Sequence, residues 1–544
     1  MKLSSLLETD TSFRKDDAAA IVSVPLEAIP GSEAADPEIR SIHCRAQEVQ
    51  PSGLFVAVPG LAVDGHTYID EAVGRGAAAI VVQRPVQKNI VTVQVQNTRK
   101  ALAQLAARFY RDPSQQLCLI GITGTNGKTT TAFLIESILA AAGHSVGVIG
   151  TIDYRFAGRH YENPVTTPES LDLQRILAEM RQQGVGHVVL EVSSHAIDLH
   201  RIHDCQFDIG IFTNLTQDHL DYHGDMQRYW SCKKKFFSEH LSSGPKKEKA
   251  VAVVCADHRE GRELLSSLNI RTLSVGYSNR CAVSAGHSAV DLSGISAEVS
   301  FPGGSFKLKS ALIGAHNMEN ILCAVGAGLS LNIPPETIRI GIENLSAVPG
   351  RLERIADTAE RFVYVDYAHT PDALKNVLSA LRLISENRII CVFGCGGDRD
   401  RGKRPLMGEI AGRICDLAII TSDNPRTEDP LRIIGQIRDG IHLTSAAEFS
   451  TADIKTGFAK KGFVVEPDRR EAIRLGVSVS RPGDIILIAG KGHETYQIVG
   501  KQKRPFDDRS EARQAFSLLG KGPATQAQSG PLGVEGKLKP PCWH

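Results

Sequence analysis

At 544 residues the chain is too long for a single hydrophobic core, and roughly three domains are expected. Hydrophobic residues make up 42% and charged ones 23%, as in ordinary soluble enzymes, and a formal net charge of +1 carries no polyelectrolyte signature for nucleic acid. No apolar stretch approaches the ~20 residues that span a bilayer, and the acids in the first ten residues argue against a signal peptide.

In chain order, Gly53–Pro59 and Ala77–Val82 read as strands, followed by a helix around Thr98–Tyr110. Arg111-Asp-Pro-Ser114 breaks that helix and reads as a linker. Next comes an apolar strand, Leu117–Ile122, then Gly121-Ile-Thr-Gly-Thr-Asn-Gly-Lys-Thr-Thr130, then apolar residues at helical spacing through Leu139. Strand, glycine-rich turn and helix are the context in which backbone N–H groups and a helix N-terminus hold phosphate. Lys128 would reach the β- and γ-phosphates of ATP and Thr129 would ligate Mg²⁺. Ile122 stands where the general pattern has a further glycine, so the loop is the shorter Gly-Thr-Asn-Gly-Lys-Thr form.

Downstream, polar clusters recur just past apolar strands. Such clusters follow His187–Leu190, Phe207–Phe212, Phe362–Val365, Ile389–Phe393, Leu417–Thr421 and Asp484–Ala489. In open α/β sheets ligands bind outside the carboxyl ends of parallel strands, so these ends are the candidate sites. Glu191 ends one such strand, where phosphate-loop enzymes place an acid on Mg²⁺. His219 lies in Asp218-His-Leu-Asp-Tyr-His-Gly-Asp225, which suits a second hard cation or a structural histidine equally. The eleven cysteines are scattered, several within strands, as reduced packed thiols are. Lys246-Lys-Glu-Lys249 reads as a solvated loop, and Lys521–His544 as a disordered tail without periodicity.

These motifs resemble the Mur ligases, ATP-dependent amino-acid ligases of peptidoglycan synthesis, and within them the MurE type. The resemblance spans all but the first ~35 and last ~25 residues. It rests on the phosphate loop, Thr166-Thr-Pro168, Glu191-Val-Ser-Ser-His195, Thr213–Gly224, His316-Asn-Met-Glu-Asn320, Pro349-Gly-Arg351, Asp366-Tyr-Ala-His-Thr-Pro371, Gly397–Pro405, Asp423-Asn-Pro-Arg426 and Gly490-Lys-Gly-His-Glu494.

The resemblance implies a three-domain α/β fold: 1–113 binding the UDP substrate, 114–347 a central ATPase domain with a mostly parallel sheet, and 348–520 a Rossmann-like domain for the amino acid. It places Gly124, Thr125, Asn126, Gly127, Lys128, Thr129, Thr130, Asn320, Arg351, Asp366 and His369 at ATP. Cys44, Thr166, Thr167, Ser193 and Arg201 fall at positions contacting UDP-N-acetylmuramoyl-L-alanyl-D-glutamate. Thr129, Glu191, His219 and a carbamylated Lys233 fall at metal positions for Mg²⁺, and Lys128, Lys233, His219 and Glu191 carry catalysis. Cys44 and Leu199 depart from the family, where Ser and Gln are common.

Arg399, Asp423, Asn424, Pro425, Arg426, Gly490 and Glu494 fall at amino-acid positions. In the family Asp-Asn-Pro-Arg marks enzymes adding meso-2,6-diaminopimelate, whose distal carboxylate an arginine can pair bidentately. The implied enzyme is a monomer in the cytoplasm, without nucleic-acid or membrane partners. Three alternatives stay open: the same ligase adding L-lysine, a folate-polyglutamate-type ligase, and a nucleotide sensor without turnover.

Overall fold

Alternation along the strands builds the molecule's largest sheet. In a strand with both faces covered, successive side chains enter opposite cores. Ile120 and Ile122, Val189, Ile209 and Ile211, and Val251, Val253 and Cys255 enter one buried cluster. Leu119, Val188 and Leu190, Phe212, and Ala252 and Val254 enter the other. The first cluster packs beneath the helices Lys128–Ala141, Ala315–Ser330 and Pro335–Asn344, the second beneath Ser170–Gln182 and Met226–Lys235.

The computed structural model describes residues 1–7, 36–60, 63–355, 360–455 and 457–519. The expected tail, 521–544, lies outside them, as does most of the N-terminal ~35-residue stretch that falls outside the family resemblance.

The chain divides into two compact units, Met1–Glu353 with Asp366–Glu386, and Arg354–Val365 with Asn387–His544. In the first unit a four-stranded parallel sheet runs in sequence order through Ser41–His43, Gly53–Val56, Ala77–Val82 and Val91–Gln94. Asn97 accepts from the Arg99 and Lys100 amides to start the helix Thr98–Phe109. The expected linker becomes a short 3-10 turn, Pro113–Gln115.

The second sheet has eleven strands. Its parallel centre places Cys118–Thr123 between Ile209–Phe212 and His187–Glu191. Antiparallel pairs extend both edges: Asp153–Phe156 with Arg159–Glu162, and Val283–Asp291, Gly294–Phe301 and Gly304–Ser310.

In the second unit a seven-stranded sheet centres on Ile389–Phe393, flanked in parallel by Ile485–Ala489 and Leu417–Ile420. A hairpin, Tyr496–Val499 with Gln502–Pro505, stands apart from that sheet. Fully buried Arg469 pairs bidentately with equally buried Asp508, at 2.8 and 2.7 Å, tying the helices Arg469–Val479 and Asp508–Leu519.

The reading of Lys246 as solvated is corrected. Its ammonium donates to the Leu117 carbonyl and the Asp208 carboxylate, both at 2.6 Å, because the loop folds back to the start of the central strands. The ten described cysteines are all free thiols. Among the described residues no helix is long and apolar enough to cross a membrane.

One pH effect follows from the fold. Burial, reinforced by His203 and Lys100, lowers His200 from its ordinary 6.5 to about 4. A depressed folded-state value means that the unfolded chain takes up the proton first. Stability is therefore complete above 6.5 and is lost as pH falls from 6.5 to about 4. The thermal midpoint is expected to drop across that window. His200→Asn, compatible with the left-handed φ of 55°, should flatten the drop; an unchanged slope would assign the effect to other groups.

Candidate active site

The phosphate loop runs from the central strand Cys118–Thr123 into the helix Lys128–Ala141. Two glycines allow the turn, Gly124 at φ 147° and Gly127 at φ 87°. The neighbouring strand end holds the loop in place. The Thr125 amide donates to the Asn214 carbonyl at 3.0 Å, the Asn126 amide to Asn214 Oδ1 at 2.9 Å, and Thr213 Oγ1 to the Asn126 carbonyl at 2.7 Å.

A Cβ at Gly127 would lie 2.1 Å from Asn320 Oδ1, so the loop rests directly on the helix Ala315–Ser330. Gly127→Ala combines that clash with a left-handed backbone. It is expected to raise KM for ATP about tenfold or more, read from initial rates.

Two ammonium groups converge on this loop. Lys128 Nζ donates to the carbonyls of Gly124 at 2.9 Å and Thr125 at 2.8 Å. Lys233 Nζ, 1% exposed, donates to the same Gly124 carbonyl at 2.9 Å and lies 4.6 Å from the Tyr229 ring centroid. Burial, and then the Lys128 charge, push Lys233 well below the usual lysine range; burial lowers Lys128 too. A π-helical turn, Phe236–Leu241, follows the helix that ends on Lys235, an irregularity frequent at functional sites.

Glu191, 1% exposed, gathers hydroxyls around one carboxylate. Its Oε2 accepts from Thr129 Oγ1 at 3.1 Å and Thr151 Oγ1 at 2.9 Å, and its Oε1 from the Thr151 amide at 3.1 Å. Thr151 Oγ1 lies 3.1 Å from Thr166 Oγ1. Thr167 donates to the Glu191 carbonyl at 2.7 Å and accepts from the Ser193 amide, while Arg201 donates to the Thr167 carbonyl at 3.0 Å.

A cavity of about 650 Å³ opens beside these residues, lined by Cys44, Tyr154, Asn163, Glu169, Arg175 and Arg201 among others. Burial pushes the Cys44 thiol up to about 11, so it is protonated at neutral pH.

His219 begins a short helical turn with φ 53° and meets His195 edge-on at 5.0 Å. Burial, with Lys128 and Lys233 nearby, lowers its pKa and keeps the imidazole neutral. Arg351 Nη2 donates to Thr129 Oγ1 at 3.3 Å and its guanidinium lies over the Tyr367 ring at 4.8 Å. Asp366 accepts from the Leu352 and Ala368 amides at 2.7 and 2.8 Å. Burial raises its carboxyl above the usual range, opposed by Arg351. Asn320 donates to Asn317 at 2.9 Å, and His369 Nδ1 sits 2.8 Å from the Tyr367 carbonyl.

In the second unit Asp423–Arg426 follows the strand Leu417–Ile420. Arg426 has a left-handed φ of 51°, held from both sides by the hairpin: its amide donates to the Ile498 carbonyl and its carbonyl accepts from the Gly500 amide. Its Nη1 donates to the Gly397 carbonyl at 2.8 Å. A Cβ at Gly396 would lie 2.9 Å from that Nη1 and 3.8 Å from Arg399 Cγ, so both arginines flank one glycine.

Asn424 Nδ2 donates to Glu494 Oε2 at 2.9 Å, and fully buried Lys491 donates to the same oxygen at 2.9 Å. A Cβ at Gly490 would lie 2.6 Å from Asp423 Oδ2. Gln497 donates to the Asp423 carbonyl at 2.7 Å. Pro425 is buried in this turn, its carbonyl against Gly397.

Sequence reasoning did not single out Thr151, Lys491 or Gln497. Lys491 sits inside a quoted motif and could have been found there. Thr151 and Gln497 carry no local signal.

Family models match three segments: a Mur ligase family catalytic domain over residues 38–110, the Mur ligase middle domain over 122–328, and the Mur ligase glutamate ligase domain over 350–492. The chain is 48% identical over 509 residues to a UDP-N-acetylmuramoyl-L-alanyl-D-glutamate–2,6-diaminopimelate ligase of Geobacter metallireducens, covering 93% of this chain and 99% of the relative. Its identity to the enzyme of that name in Geobacillus thermodenitrificans is 40%, covering 90% and 98%.

A solved structure of a ligase of that name superposes with TM-score 0.64 at 30% identity, covering 89% of this chain and 96% of that one. MurF ligase of Thermotoga maritima in complex with ADP shares the fold, with TM-score 0.58 at 20% identity over 90% and 99%. The chain belongs to the Mur ligase family of ATP-dependent, ADP-forming amide ligases.

Proposed function

We propose that this ligase adds meso-2,6-diaminopimelate to UDP-N-acetylmuramoyl-L-alanyl-D-glutamate. The observation that carries the choice of amino acid is the Asp423–Arg426 turn. Arg426 is pinned by the hairpin and flanks the same glycine as Arg399, and Glu494 is charge-matched by Lys491. An arginine beside an ordered acid suits an amino acid that carries a carboxylate and an ammonium at its far end.

In the reaction the D-glutamyl γ-carboxylate attacks the γ-phosphorus of ATP, releasing ADP and leaving an acyl phosphate. The diaminopimelate amine attacks that carbonyl, loses a proton, and phosphate departs from the tetrahedral intermediate. Two anions meet in the first step, so positioning and charge neutralisation dominate catalysis.

The amides from Gly124 to Thr130 cradle the phosphates. Lys128 and Arg351 supply positive charge, Asn320 stands at the adenine, Asp366 stands by the ribose, and His369 lies close to the nucleotide. Cys44, Thr166, Thr167, Ser193 and Arg201 line the UDP-dipeptide path, joined by Thr151.

The hydroxyl and carboxylate oxygens of Thr129 and Glu191 fit a hard cation, and neutral His219 beside Lys233 can serve a second. When bound, Mg²⁺ neutralises charge developing on the phosphoryl oxygens. A depressed pKa leaves part of Lys233 as free amine, which can capture CO₂ as a carbamate with release of a proton.

Mass spectrometry of the product formed from ATP, the UDP-dipeptide and diaminopimelate tests this reading. The UDP-tripeptide is expected, with ADP and phosphate. Equal incorporation of L-lysine would overturn the specificity, and phosphate release without the UDP-dipeptide would overturn the substrate.

A further inference from the structure

We infer that Cys255, His258 and Glu319 form a binding site for a borderline divalent cation of the Zn²⁺ class, separate from the phosphate loop. Cys255 ends the strand Val251–Cys255 with its side chain in the cluster beneath the helix Ala315–Ser330. His258 precedes the helix Arg259–Ser267, and Glu319 lies in the second turn of Ala315–Ser330. One ligand atom from each, a sulfur, an imidazole nitrogen and a carboxylate oxygen, lies within 4.8 Å of the other two.

His258 Nε2 and Glu319 Oε2 are 3.2 Å apart. With Zn–N and Zn–O near 2.0 Å, a tetrahedral edge is about 3.3 Å. That pair is already spaced for one ion; with Zn–S near 2.3 Å the sulfur edge is about 3.5 Å, so the sulfur, within 4.8 Å, needs a shift of about 1.3 Å or less to complete a face.

Asp257 stands beside them. Its Oδ2 is 3.9 Å from Cys255 Sγ, and both its oxygens accept from the Tyr277 amide, at 3.0 and 3.1 Å. It can complete the shell or orient a bound water. A thiolate, an imidazole and a carboxylate select Zn²⁺, or Co²⁺ in its place, over Mg²⁺, which takes oxygen.

The His258 and Glu319 side chains are 30% and 22% exposed, so an ion can enter from solvent, while the Cys255 residue is wholly buried. Binding replaces the S–H bond by a metal–thiolate bond and releases the proton to solvent. Because the thiol and the imidazole must both be unprotonated to ligate, affinity should climb with pH. The ion would link the strand end, the start of one helix and the helix that carries Asn317 and Asn320.

The test titrates full-length protein, without a histidine tag and with saturating Mg²⁺, with Co²⁺ alone. Thiolate-to-cobalt charge-transfer absorption is expected, with the visible bands of tetrahedral Co²⁺, saturating at one ion per chain. Zn²⁺ alone should displace it and raise the thermal midpoint.

Cys255→Ser should abolish the charge-transfer band. His258→Gln, which leaves the strand intact, should weaken Zn²⁺ by more than the about 10–100-fold typical of outer-shell partners. Cobalt binding without the thiolate band, or unchanged Zn²⁺ affinity in His258→Gln, would reduce the cluster to a His–Glu ion pair over a buried thiol and overturn the site.

Discussion

Lys233→Ala is expected to lose nearly all ligase activity, by a factor of about 10³ or more, while the protein remains folded. The native ammonium is enclosed, 1% exposed, and its acceptor among the described residues is the Gly124 carbonyl that Lys128 also uses. Two cations that share a neutral carbonyl, with only the neutral Thr125 carbonyl beside it for Lys128, are under-compensated. Conversion of one amine to a carbamate replaces that repulsion by attraction, since Lys128 then faces an anion.

Short-chain carboxylates such as acetate should restore part of the activity of the alanine variant by supplying the missing negative oxygens. Lys233→Arg, permanently charged and unable to take up CO₂, should resist rescue. A further readout is the added mass of CO₂ on the peptide containing Lys233, retained under mild alkaline handling. Full activity of Lys233→Ala without added carboxylate would mean that Lys233 is the wrong lysine and would turn the assignment to its neighbours Lys234 and Lys235. In the fold Lys234 pairs with Glu263, 2.9 Å away.

The phosphate loop, its strand and its helix were legible because the chemistry is local: glycine, lysine and threonine at fixed spacing between an apolar run and an amphipathic one. Ala77–Val82 and the helix Thr98–Phe109 were legible for the same reason. What sequence could not give is convergence. Thr151 reaches Glu191 across 40 residues, and Gln497 reaches the Asp423 carbonyl across 74. Neither residue is unusual in its own segment.

Lys246 illustrates the opposite error. A run of charges looked solvated, yet its first lysine caps the Leu117 carbonyl 129 residues away. Charge runs describe the unfolded preference of a segment, and a single long-range acceptor overrides it.

Arg426→Ala is expected to cost about 2–5 kcal/mol of transition-state binding for diaminopimelate, if the guanidinium pairs with the distal carboxylate away from water. At ~1.4 kcal/mol per decade this is roughly 30- to several-thousand-fold in kcat/KM. The backbone at Arg426 favours this pre-organisation: its left-handed φ of 51° is fixed by hydrogen bonds to Ile498 and Gly500, and Nη1 is anchored on the Gly397 carbonyl. Among the described residues no other acceptor takes the guanidinium, whose further N–H groups can meet a ligand.

L-Lysine lacks the second carboxylate, so in the wild type it would leave that cation desolvated and unpaired. A site built around such a group can reject the lacking analogue by about 10⁴-fold or more. The alanine variant should therefore narrow discrimination chiefly by harming diaminopimelate, with lysine little changed or slightly improved. KM for ATP should stay constant, because the phosphate loop belongs to the first unit and Arg426 to the second.

Gln497→Ala should move in the same direction by a smaller step, since it removes one bond to the Asp423 carbonyl and loosens the turn without deleting the charge. Equal loss for both amino acids in Arg426→Ala would make the residue a support of the hairpin rather than a reader of the substrate. Because the arginine is itself bonded to Ile498 and Gly500 only through its backbone, the side-chain truncation leaves those bonds in place, and that outcome would require Nη1 and the Gly397 carbonyl to hold the loop by themselves.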